Sequence, residues 1–198
     1  MSTQNLTNLK HTARLIWLIA LASVFSVCCS RQPERKITPA QPATAPAGRQ
    51  TLNGRVVRVA DGDTITVLDA TNTQHRIRLE GIDAPESHQA FGTQSRKSLS
   101  EMVFGKDVTI VYEKTDQYGR LVGKILLDGK DVNLEQVKAG MAWHYKEYQK
   151  EQTPEDRELY ARAEDRAHQA RRGLWLDQEP VDPSEFRREE KRARKDAR

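Results

Sequence analysis

Residues 52–79 read LNGRVVRVADGDTITVLDATNTQHRIRL, three short runs rich in β-branched residues (52–59, 64–68 and 75–79) separated by two turn clusters. Partial alternation of apolar and polar side chains within each run predicts half-buried strands. Ala60-Asp61-Gly62-Asp63 and the stretch from Asp69 to Thr73 supply the residue types that reverse a chain. Working outward, KDVTIVYE (106–113) and RLVGKILL (120–127) predict two more strands, joined around Asp116-Gln117-Tyr118-Gly119. Between the third and fourth strands, Phe91 to Phe104 reads as a helix closed by Gly105, with Leu99, Met102 and Val103 on one face. A second helix runs from Asn133, its expected cap, to Ala139, and Gly140 ends it. A third opens at Thr153-Pro154-Glu155-Asp156: a cap, Pro at the first helical position and carboxylates at the positive end. Leu159, Ala163, Ala167 and Ala170 give it a small-residue face, and Gly173 stops it. Five strands with a helix between the third and fourth is the order of an OB-type barrel, so the expected class is α+β, an OB-type five-stranded β-barrel with about three helices.

The flanks carry different information. Lys10, His11 and Arg14 precede the apolar run LIWLIALASVFSVCC (15–29), the pattern of an export signal, and the run is short for a permanent spanning helix. Its terminal Cys28 and Cys29 resemble the acylation site of a bacterial lipoprotein. Val27 and Cys28 stand where such signals use a small residue, so lipidation stays open. Residues 30–50 hold Pro33, Pro39, Pro42 and Pro46 among Ala, Thr and Gln and read as a solvated linker. Residues 51–182 form the expected domain. The tail 183–198 mixes charges and reads as a solvated helix or a disordered end. The expected destination is outside the cytoplasm: periplasmic, extracellular, or membrane-anchored through an acylated Cys. After Cys29 the chain has no cysteine, which excludes disulfides, thiolate metal sites and a cysteine nucleophile from the domain.

The net charge of +4 has an address. Residues 51–182 hold 19 basic and 23 acidic residues, so the domain is acidic and the excess of positive charge lies in the flanks. Bulk charge therefore says nothing for a nucleic-acid partner, and function has to come from particular residues.

Two turns concentrate carboxylates. Asp61-Gly62-Asp63-Thr64 is also an ordinary hairpin turn and weak evidence alone. Asp83-Ala84-Pro85-Glu86, introduced by Arg78, offers oxygen ligands for a hard cation, a base and a guanidinium fork within nine residues. Phosphoryl transfer needs those parts: a cation against developing charge, fixed donors, and a carboxylate to position water. Arg120, after Gly119, is a second candidate fork, although a lone arginine is more often half of a surface ion pair. His88 lies two residues past Glu86 and reads as an exposed loop histidine. His144 reads as packed among aromatic rings. Trp143, Tyr145 and Tyr148 are either such a cluster or a base-stacking platform.

Taken jointly, VVRVADGDTITV (56–67), RIRLEGIDAPES (76–87), DQYGRLVGKI (116–125) and VNLEQVKAGMAW (132–143) resemble the staphylococcal nuclease (thermonuclease-like) family in order and spacing. The resemblance implies an OB barrel with helices and a calcium-dependent phosphodiesterase acting on DNA and RNA. It implies that Asp63 and Asp83 bind Ca²⁺ through carboxylates and Ala84 through its main-chain carbonyl. Glu86 would activate the attacking water, Arg78 and Arg120 would hold the phosphate and stabilise the pentavalent transition state, and Tyr118 would contact a nucleotide phosphate. Gln117 stands where some relatives place Lys, and Asp61 reads as a turn residue behind Asp63. The rival reading is a non-catalytic module that binds nucleic acid or protein. Retention of every acidic and arginine position argues against it. No protein partner and no dimer are expected.

Overall fold

Strand β1 (Gln50–Val59) is the hub of the sheet, pairing antiparallel with β2 (Thr64–Asp69) on one side and β5 (Asp107–Thr115) on the other. The structure is a computed structural model and describes residues 48–197. β2 continues into β3 (Gln74–Leu79), and β5 into β6 (Leu121–Leu127), each as an antiparallel pair. A short parallel pairing of β3 with β6 then closes the five strands into a barrel. Alternate residues point inward, as the period of two requires: Ile65 and Val67, Ile77 and Leu79, Val108 and Ile110 are all buried. The five expected strands are these five, with ends shifted by one or two residues.

Helix α1 (Gly92–Val103) caps the barrel with Ser95, Leu99 and Val103, while Met102 packs partly buried at the edge. Two-residue strands β4 (Ile82–Asp83) and β8 (Trp143–His144) pair with each other, and β7 (Lys130–Asp131) extends β6. Helices α2 (Val132–Lys138) and α3 (Pro154–Gln169) follow, with 3-10 turns at Lys146–Glu151 and Gly173–Leu176, and α4 (Pro183–Asp196) ends the described chain.

Three local expectations are corrected. Asp131, not Asn133, caps α2, its side chain accepting from Leu134 N at 3.0 Å. Asn133 is buried instead, donating to Glu80 O and Gly123 O and accepting from Ile125 N, so it latches the helix to β6. The buried face of α3 is Tyr160, Ala163, Glu164 and Ala167, leaving Leu159 45 % exposed and Ala170 at the surface. The face turns toward Tyr160 because its ring fills the core while its hydroxyl donates to Asp131 at 2.9 Å. Arg171, in the left-handed region at φ 49°, ends α3 before Gly173 is reached. Gly173 serves a different purpose: a Cβ there would lie 2.2 Å from Gly140 O, so the two loops touch backbone to backbone.

The fold also extends past its expected limits. Arg49, assigned above to the linker, makes a two-pronged, largely buried ion pair with Glu80 at 2.7 and 2.8 Å. The tail from Pro183 forms α4, capped by Asp182. Among the described residues no helix is long and apolar enough to cross a membrane. The export segment expected at 15–29, with Cys28 and Cys29, and nearly all of the linker lie outside the described residues.

Candidate active site

Barrel closure sets the site. Across the sheet Thr64 lies opposite Arg78, and Arg78 opposite Val122, so one row of the rim joins the β2 start, the β3 end and the β6 start. Asp63 stands one residue before that row and Arg120 two residues before Val122. β4, held by β8, brings Asp83 back to the same rim. An open cleft of about 610 Å³ lies there, lined by Asp61, Asp63, Arg78, Asp83, Ala84, Glu86, Tyr118 and Arg120 among others. All seven residues singled out by the sequence for metal, catalysis or substrate lie on its wall.

The floor is a carboxylate–guanidinium lattice. The Arg78 side chain, 14 % exposed, places Nη1 2.9 Å from Asp63 Oδ2 and donates from Nη2 to Asp83 Oδ1 at 2.9 Å. It also donates to Ile82 O at 2.9 Å. Burial works against its charge, but Asp63, Asp83 and Asp61 outweigh that and hold its pKa above the usual arginine value. Asp63 is fixed further by Thr64 Oγ1 at 3.0 Å and by Ala84 N at 2.8 Å, so one carboxylate ties both acidic turns together. Gly62 is required between them: a Cβ there would sit 1.8 Å from Ser95 Oγ on α1 and 2.7 Å from Ala84 Cβ.

Asp61 accepts from Asp63 N at 3.0 Å, the bond of an aspartate turn. Burial, and then the neighbouring Asp63 charge, push its pKa up to about 6. A carboxyl raised on folding contributes stability that is complete below the unfolded pKa and lost as pH rises through the folded one. Asp61→Asn keeps the acceptor oxygen and removes the charge. In EGTA it should raise stability at pH 8 by on the order of 1–2 kcal/mol, allowing for solvent screening, and change it far less at pH 4. Paired thermal melts at the two pH values check this. A gain of equal size at both would mean that the charge is not the cause.

Arg120 is aimed by Asp116. The carboxylate accepts from Arg120 Nε at 2.7 Å and from the main-chain N–H groups of Tyr118 and Arg120 at 2.9 Å each. The terminal guanidinium nitrogens keep only a 3.5 Å contact, to Thr64 Oγ1, among the described residues. Arg120 is therefore the donor with capacity to spare for a ligand. Its guanidinium carbon lies 5.4 Å from the centroid of Tyr118, whose ring is 68 % exposed at the cleft mouth. The sequence reads Asp116 only as a turn residue. Its position four before Arg120 and two before Tyr118 was the available signal.

Asp83 is almost fully buried, and burial pushes its pKa up while Arg187 and Arg78 oppose that rise. Glu86 is half-buried at the rim, its N–H bonded to Gln89 Oε1 at 3.1 Å. Both acidic residues meet a partner absent from the sequence reading. Arg187 on α4 donates to Asp83 Oδ2 and to Glu86 Oε1 at 2.9 Å each. The overlooked signal was Pro183, Phe186, Arg187 and Glu190, three and four apart behind an Asp-Pro cap.

Tyr145 and Tyr148 line the cleft, with ring centroids 4.9 Å apart. Trp143 turns away from it and packs on Trp175 at 5.5 Å. His144 is buried, donates from Nε2 to Gln152 Oε1, and lies beside Tyr160. Exposed His88 is held by Glu190 at 2.8 Å and does not line the cleft.

The oxygens of Asp63 and Asp83, with the nearby main chain of Ala84, are the donor set of a hard divalent cation, and no His or Cys lines the cleft. Among the described residues no group of three acidic, His or Cys side chains is close enough to cage a metal alone. A cation here would take its remaining ligands from main chain, water and substrate. The residues present fit that partial shell, because Asp83 and Glu86 already balance their charge against a cationic group, the Arg187 guanidinium.

Residues 76–177 match the family described as staphylococcal nuclease homologue. A Haemophilus influenzae protein named an uncharacterized endonuclease is 42 % identical over 137 residues, covering 69 % of this chain and 74 % of its own. An Escherichia coli protein of the same name is 43 % identical over 133 residues, 67 % of this chain and 82 % of that one. A Shigella flexneri protein named micrococcal nuclease is 39 % identical over 151 residues, 72 % and 84 % of the two chains.

Proposed function

The chain belongs to the staphylococcal nuclease family and is a nuclease, a hydrolase of nucleic acid, and from that premise we propose that it cleaves phosphodiester bonds of both DNA and RNA with calcium at Asp63 and Asp83. The observation that carries this reading is the single Arg78 guanidinium shared by two carboxylates on a rim that also presents Arg120 and Glu86. Asp63 and Asp83 hold the cation through their carboxylates, and Ala84 offers its main-chain carbonyl. When bound, Ca²⁺ supplies positive charge against the phosphate oxygens. Glu86 takes a proton from the attacking water as its oxygen bonds to phosphorus and the phosphorus–oxygen bond to the leaving group breaks. Arg120, held rigid by Asp116, donates to the phosphoryl oxygens as charge grows on them, and Arg78 adds its charge from the floor. Tyr118 stands where a nucleotide phosphate is met. Export to a calcium-rich compartment, anchored by an acylated Cys28 or Cys29 or not, and action as a monomer complete the reading.

Purified chain offered heat-denatured DNA and RNA should degrade both in calcium and neither in EGTA, with activity returning on calcium re-addition. Cleavage that persists in EGTA sinks the calcium role. Binding of nucleic acid without cleavage in calcium would leave a binding module.

A further inference from the structure

Arg187 reaches the cleft from the last helix of the described chain. It belongs to α4, beyond the residues 76–177 that match the family, and it meets Asp83 across 104 positions of sequence. Nη2 donates to Asp83 Oδ2 at 2.9 Å, while Nη1 donates to Glu86 Oε1 at 2.9 Å and reaches Asp83 Oδ1 at 3.3 Å. Both oxygens of Asp83 and one of Glu86 are thus engaged by one guanidinium. A divalent cation brought to those oxygens would sit against the guanidinium charge, and a Glu86 oxygen paired with Arg187 is a weaker base towards water.

The helix that delivers Arg187 is seated by one face. Pro183 is buried, the Phe186 ring lies 5.2 Å from that of His88, and Glu190 bonds His88 Nε2 at 2.8 Å. Just before the helix, Gln89 Nε2 donates to Val181 O at 2.6 Å. Beyond these anchors the helix is solvated: Arg188, Lys191, Arg192 and Lys195 are exposed. A helix this short is marginal alone, and so small an apolar anchor makes docking a reversible equilibrium.

We propose that α4 is a built-in competitor for the cation: docked, its Arg187 guanidinium occupies Asp83 and Glu86, and it must lift away for calcium and the attacking water to take their places. This rests on the reading of Asp63 and Asp83 as calcium ligands given above. The apparent calcium affinity is then the intrinsic affinity reduced by the fraction of chains with α4 undocked. A cation bound by the undocked form alone pulls the helix off by mass action.

Calorimetric titration of the full chain with calcium chloride, without nucleic acid, tests this on wild type, Arg187→Ala, Arg187→Lys and Phe186→Ala. Arg187→Ala should bind calcium about tenfold more tightly and Phe186→Ala about threefold, since either shifts the population toward the undocked form. Phe186→Ala leaves every charge in place, so its gain reports helix release and not a lost repulsion. Arg187→Lys keeps the charge without the fork and should fall between wild type and Arg187→Ala. Calcium should also speed amide hydrogen exchange across residues 186–196 of the wild type. Tighter binding in Arg187→Ala with none in Phe186→Ala, or exchange in α4 that calcium leaves unchanged, overturns the proposal. Equal affinities in all four proteins do the same. Absence of calcium binding in all four overturns the reading of the site beneath it.

Discussion

Glu86→Gln should lower kcat by about 10²- to 10⁴-fold, the range lost when a positioned general base is removed. KM for denatured DNA should move little, because Arg78 and Arg120, the donors read as holding phosphate, are untouched. The amide preserves the side-chain shape and an oxygen that accepts from Arg187 Nη1, now 2.9 Å away, so melting temperature should shift only slightly. Calcium affinity should not fall, since Asp63 and Asp83 are untouched and a weaker hold on Arg187 favours the undocked form. The decisive comparison is kcat against calcium affinity in one preparation. A variant that cuts at the wild-type rate places the base elsewhere on the cleft wall. A variant that loses calcium binding together with rate assigns Glu86 to the metal and not to water.

Arg78→Ala should be the most damaging single change to the fold around the cleft. It leaves Asp63 and Asp83 facing one another without their shared cation and strips Ile82 O of its 2.9 Å donor. Removing one partner of a buried pair costs about 3–5 kcal/mol when the remaining charge stays buried and unpaired, which is the position of Asp63 here, while Asp83 keeps Arg187. In EGTA the melting temperature should fall by about 10 °C or more, given a few degrees per kcal/mol for a domain of this size. Added calcium should restore part of that loss by supplying charge between the same carboxylates. Cleavage should stay lost in both conditions, since a cation cannot replace the guanidinium. Arg78→Lys should recover stability more than rate, because a point charge does not reproduce a fork that reaches two acids at once. A melt that is unchanged in EGTA would show that the two carboxylates do not depend on Arg78.

The barrel was legible because each strand writes its own inward face: Ile65 and Val67, or Val108 and Ile110, alternate with polar residues and need no distant partner to be read. The acidic turns and Arg78 were legible for a related reason. They sit within a few residues of one another, and β3 and β4 only fold that spacing into contact. What failed was whatever depends on remote neighbours. Asn133 and Asp131 are equally good caps by composition, and only the carbonyls of Glu80 and Gly123, from other strands, draw Asn133 into the interior. Leu159 and Tyr160 compete for one helix face, and Asp131 decides it by accepting from the Tyr160 hydroxyl. Arg187 is the extreme case. Its tail mixes charges with a basic excess, so Arg187 reads as one charge of a solvated segment while its partners lie about a hundred residues away.

The parallel pairing of Ile77, Arg78 and Leu79 with Leu121, Val122 and Gly123 has a further consequence, for the time course of synthesis. Asp63, Arg78, Asp83 and Glu86 all leave the ribosome before Arg120, and the strand that carries Arg120 to them is the last of the five. The hairpins formed by β1, β2 and β3 are local and quick to make, whereas the β3–β6 seam must wait for residues some forty positions further on. Until that seam is zipped the nascent chain holds carboxylates but no second guanidinium beside them. The cleft is thus assembled by the slowest contact of the barrel, and α2, α3 and α4 are still to be made when its last strand is complete.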